Sequence, residues 1–163
     1  MGYKFTSENT LEYIHLHDCV IDNVVISDTK IIFEFEHIDV LPEHPLNNYP
    51  NAKCTSTAAL IFEDFEVIES ILFDTSSIEK KHIIVEQDAV KRSLDIKDLA
   101  IGFEVLQAEQ KPEQEHYFVY EVHGISPHKY RSDFGMFTLK FSNVKVCWNE
   151  FVNDSWFVNW KTD

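Results

Sequence analysis

Between Val20 and His37 apolar and polar side chains alternate with a period of two, and the apolar ones are mostly β-branched or aromatic. Such a run buries one side only when it lies extended in a sheet; a helix would scatter the same residues around its circumference. Val20–Ser27 and Lys30–His37 therefore predict a hairpin that turns at Asp28-Thr29. A two-residue loop pairs Ile26 with Ile31, Val24 with Phe33 and Val20 with His37. The same register sets Asn23 against Glu34 on the opposite face, which sorts apolar from polar side chains, and it puts Asp22 in register with Phe35.

The signal recurs at Thr57–Asp64, Glu66–Asp74, His82–Glu86, Gly102–Ala108, His116–Val122, Met136–Phe141 and Val144–Trp148. Gln110–Glu115, which holds Pro112, reads as a polar hairpin loop, and Ser155–Trp160 as a last strand returning through a turn near Asn153-Asp154. Helix signals are few: Asp88–Ala100 accommodates one or two turns, and Asn9 with Glu12 caps a short turn before the first strand. Ile38–Ser56, with Pro42, Pro45 and Pro50, and the basic stretch Gly124–Gly135 read as long loops. The expected fold is all-β, an antiparallel sandwich or open barrel of about nine or ten short strands with at most one short helix. With 44% hydrophobic residues, the chain 1–163 has enough apolar material for one domain.

Charge narrows the partners. The net charge is −14, and the first 122 residues hold the whole excess, 24 acidic against 9 basic side chains. Such a field repels nucleic-acid phosphates and anionic lipid and attracts basic proteins. The expectation is an acidic, non-enzymatic interaction domain without a cofactor, its surface formed by Glu34, Glu36, Glu63 and Glu66 with Tyr49 on the long loop. Cys19, Cys54 and Cys147 form no C-x-x-C pair and are odd in number, which points to a reducing, cytoplasmic setting. No run approaches the roughly 20 apolar residues that span a bilayer.

The strongest metal-ligating pattern is His15-Leu16-His17-Asp18, since on a strand both imidazoles share a face. With Asp22 five residues on, it resembles the first motif of the cupins, which are metal-holding β-barrels. That resemblance implies a metal- or small-ligand-binding barrel, an enzyme in some cases, with one divalent transition metal on His15 and His17. A cupin carries Glu where Asp22 stands, flanking glycines and a second motif; the glycines here are Gly2, Gly102, Gly124 and Gly135. His37, His44 or His123 would have to supply a third ligand through folding. His17-Asp18 also matches the core of HD-type phosphohydrolases, whose sites lie on helices. The sequence contains no G-x-S-x-G elbow, Walker loop, Rossmann fingerprint or EF-hand loop.

Trp148, Phe151, Trp156, Phe157 and Trp160 crowd the C-terminal end, either as core or as an aromatic shelf for a ligand or partner. The run Leu16-His17-Asp18-Cys19-Val20-Ile21, leading into Ile31-Ile32-Phe33-Glu34-Phe35, resembles the start of small bacterial all-β proteins of unassigned function with an N-terminal His-Asp-x-x-Ile hairpin. Val146-Cys147-Trp148-Asn149-Glu150 resembles their closing strand. Some small acidic proteins of that kind act as immunity partners of toxins. The resemblance therefore implies a β fold and an inhibitor-like role, and names no catalytic residue.

Overall fold

A computed structural model describes residues 2–74, 90–128 and 131–159, with the backbone alone at 113, 128, 131 and 132. Among them, fourteen strands form three antiparallel sheets. The first sheet runs, in spatial order, β1 (Phe5–Glu8), β13 (Asn143–Trp148), β7 (Ala58–Glu63), β4 (Lys30–Phe35) and β3 (Ile21–Ile26). The second runs β10 (Glu104–Gln114), β11 (Tyr117–His128), β12 (Arg131–Phe141), β8 (Glu66–Asp74) and β9 (Val90–Ser93). A small third sheet contains β14 (Phe151–Asp154), β6 (Lys53–Thr55), β5 (Asp39–Val40) and β2 (Ile14–His15). One α-helix, α1 (Ile96–Ala100), opens on Asp95, whose carboxylate accepts the Lys97 backbone N–H.

The two large sheets face each other as a sandwich. Phe33 of β4 stacks on Phe137 of β12 with ring centroids 5.3 Å apart, and Phe62 of β7 meets Phe141 edge-on at 4.8 Å. All four rings are buried, and each stabilises the fold by about 1.5–3 kcal/mol through area alone. Phe103 extends this core. Its ring lies over Gly124 and Gly135, which are paired in register on β11 and β12. A Cβ on Gly124 would sit 2.5 Å from the Phe103 ring and 2.1 Å from the Glu104 carbonyl oxygen, so only glycine fits there.

The predicted hairpin forms with its two-residue loop, and Ile26–Ile31, Val24–Phe33 and Asn23–Glu34 pair as expected. A bulge at Asp22 then shifts the register, so Ile21 rather than Asp22 faces Phe35. Beyond the bulge the Val20 carbonyl still accepts the Glu36 N–H, but Val20 also bridges to Glu104, and Ile21 bonds Phe103 through its N–H and Gly102 through its carbonyl. This corner joins the two large sheets.

Several expectations are corrected. Strands number more than nine or ten, because short β1, β2, β5 and β6 carry too few residues to show alternation. Gly124–Gly135 is not a loop: it is the paired ends of β11 and β12, with only residues 129–130 at the tip outside the described residues. Gln110–Glu115 is likewise mostly strand, since β10 continues past Pro112 on an irregular stretch to Gln114. Among the described residues the last strand is Phe151–Asp154, which pairs with β6, while Trp156–Asn159 is a turn. Asn9 caps no helix. Its side-chain oxygen accepts the Val144 N–H, and the 3-10 turn Leu11–Tyr13 follows β1. Ile38–Ser56 contains β5 and β6, and Asn47 pins the intervening chain by donating to the Val40, Leu41 and Asn51 carbonyls. The expected Asp88–Ala100 helix shrinks to Ile96–Ala100, because Val90–Ser93 pairs as β9 with β8; His82–Glu86, residues 88–89 and Trp160 lie outside the described residues.

Candidate functional site

The small third sheet assembles polar side chains at one end of the sandwich. Asp39 opens β5 and stands between two partners in register, His15 on β2 and Cys54 on β6. Its side chain is only 1% exposed. Oδ1 accepts a 2.7 Å hydrogen bond from the Ser155 hydroxyl, and Oδ2 lies 3.9 Å from the Cys19 thiol. His37, two residues earlier in extended chain, brings a ring nitrogen to the same place. Ligand atoms of Cys19, His37 and Asp39 all fall within 4.8 Å of one another.

Burial governs the ionisation of this group. It raises the Asp39 carboxyl and the Cys19 thiol above their ordinary values, and lifts the Cys54 thiol to about 11 with Asp39 adding to the effect. Burial lowers His15, against the pull of Asp39. His15 Nδ1 is buried without a hydrogen-bond partner.

In front of His15 runs a groove of about 260 Å³, lined by Ile14, His15, Leu16 and His17 on one side and Leu106, Gln107 and Ala108 on the other. The Leu16–Cys19 turn, closed by the Cys19 N–H on the Leu16 carbonyl with Asp18 at φ 68°, ends β2 and turns His17 out of strand geometry. His17 Nδ1 lies 2.7 Å from the Leu106 carbonyl oxygen and donates to it, leaving Nε2 3.5 Å from the Asp18 carboxylate. The Trp156 ring stands 5.9 Å from His17 and 6.4 Å from His15, and is 41% exposed. Phe157 packs on His15 at 4.6 Å.

The two histidines expected to share a metal have ring centroids 6.3 Å apart, and His37 joins Cys19 and Asp39 instead. Of the other proposed third ligands, His44 is buried among Thr10, Ser7 and Leu46, and His123 bonds Glu121. The acidic residues are spread out. Glu34 and Glu63 lie on the outer face of the first sheet at separate register positions, and Glu36 is exposed beyond the end of β4. Glu66 faces Lys140 on the second sheet. Glu63 binds Lys30, Lys145 and Asn143 and is thereby neutralised locally. Tyr49 is exposed on the 41–52 segment, with the Lys53 ammonium 4.4 Å from its ring. Trp148 is plain core, packed by Phe5, Phe151 and His44. Sequence reasoning overlooked Cys19 and Asp39; the His37-x-Asp39 spacing, two polar residues on one face amid Ile38 and Val40, was the signal available.

Compared with protein families, curated proteins and solved structures, the chain matches none. No helix among the described residues is long and apolar enough to cross a membrane.

Proposed function

We propose that the protein is a non-enzymatic interaction domain of the immunity or inhibitor type, and that a basic segment of a cytoplasmic partner protein docks in the groove between His15–Asp18 and Leu106–Ala108. One observation carries this reading: in a chain of net charge −14, the groove has no Lys or Arg in its lining, and its His17 has the Asp18 carboxylate at 3.5 Å and the exposed Trp156 ring at 5.9 Å. A lysine or arginine suits both walls. Its methylenes would lie along Leu16 and Ala108, and its charge would sit over the Trp156 face and beside Asp18. The cation–π contact contributes about 0.5–2 kcal/mol and an exposed ion pair about 0–1 kcal/mol. The field of the whole domain adds mainly to the rate of encounter. This places the binding centre away from Glu63 and Tyr49, whose own partners already occupy them.

The test is capture from source lysate followed by direct binding of the purified captured protein. The expected partner has a basic surface, associates more slowly as salt rises, and loses about tenfold or more in affinity to D18K and to W156A. A partner that binds D18K, W156A and wild type alike, or whose binding is indifferent to salt, overturns the reading.

A further inference from the structure

We propose that Cys19, His37 and Asp39 form a binding site for a divalent transition-metal ion of the zinc class, with three protein donors and the fourth position left to a solvent ligand. The donors are the Cys19 sulfur, a His37 ring nitrogen and Asp39 Oδ2, which already lie within 4.8 Å of one another. Around a tetrahedral zinc, with bonds of about 2.0–2.3 Å, such atoms sit about 3.3–3.7 Å apart. Closure therefore asks each donor to move by roughly 1 Å, which side-chain rotation supplies.

Two further features fit a metal better than a hydrogen-bonded cluster alone. The second Asp39 oxygen is fixed by the Ser155 hydroxyl at 2.7 Å, so the carboxylate is oriented with Oδ2 toward the thiol and imidazole. Charge also balances: metal binding displaces the Cys19 thiol proton to solvent, and thiolate plus carboxylate then cancel the dication. A neutral unit is what a site with Cys19 at 0% and Asp39 at 1% exposure can hold. Such an ion would tie the Leu16–Cys19 turn to β5.

The inference stands apart from partner binding, and either can fail alone. The test uses the full chain, freed of metal with a chelator and titrated with Co2+. The expected result is one equivalent bound, tetrahedral visible bands, a thiolate-to-cobalt charge-transfer band, displacement by Zn2+ and a raised Tm. C19S should abolish the charge-transfer band, H37A should weaken binding at least tenfold, and S155A should weaken it by about 10–100-fold. H17A should bind as wild type does. Absence of the charge-transfer band at stoichiometric Co2+ overturns the proposal, as does binding that survives H37A but is lost in H17A. Should C19S fail to fold, the half-buried His37 decides the matter by itself.

Discussion

Phe33 and Phe137 lie nearly parallel across the gap between the two large sheets, their planes 20° apart and both rings about 1–2% exposed. Each ring belongs to a different sheet, so the contact holds the layers together. F33A removes it and leaves a void among Leu16, Leu60, Val105 and Val122. The expected loss is about 3–5 kcal/mol, seen as a lower urea midpoint with an unchanged slope.

Gly124 is a second point where the layers leave no room. G124A places a methyl 2.1 Å from a backbone oxygen that cannot rotate away, so strands must part and stability falls by about 1–3 kcal/mol or more. G2A meets nothing within 4 Å and should leave the thermal midpoint unchanged. Equal midpoints for the two variants would contradict the packing of Phe103 on the β11–β12 pair.

His44 makes stability depend on pH. Its Nδ1 accepts the Leu46 backbone N–H at 3.0 Å, so the ring proton sits on Nε2, facing Thr10 and Ser7. Burial lowers its pKa from the ordinary 6.5, so the folded state binds this proton less tightly than the unfolded chain. The stabilisation is complete above 6.5 and is lost as pH falls through the lowered value. Lowered His15 acts in the same direction. Urea midpoints measured from neutral to acidic pH should fall for wild type and fall less steeply for H44Q, which starts about 1 kcal/mol less stable.

Charge reversals separate the groove from the rest of the acidic surface. Glu63 sits between Lys30 and Lys145 at 3.8 and 3.7 Å, both partly exposed. E63Q should cost no more than about 1 kcal/mol in denaturation and leave partner affinity within a factor of two. D18K should cost about 1 kcal/mol of stability, since Asp18 is exposed but sits at φ 68°, where Lys is less favoured, and it should weaken the partner far more. If E63Q weakens binding as much as D18K does, the outer face of the first sheet is the contact.

Local pattern was enough for the hairpin because a period of two permits one buried face, and a one-residue slip would expose Ile31, Phe33 and Phe35 together. It was also enough for the sandwich, since Phe137, Leu139 and Phe141 alternate as cleanly as the hairpin does. The bulge at Asp22 left no such trace, for one extra residue changes the register without changing the composition. Gly124 and Gly135 read as loop punctuation because the ring that needs their missing side chains, Phe103, comes from the connection between α1 and β10. The polar cluster is the clearest case. Cys19 comes from a turn, His37 and Asp39 from the chain after the hairpin, and Ser155 from the far end, 116 residues from Asp39. Alternation dictates which side of a strand a residue faces, and the sequence carried that by itself. Which distant residues share that side depends on how the sheets stack and where β2, β5 and β6 pair, and only the packed core decides it.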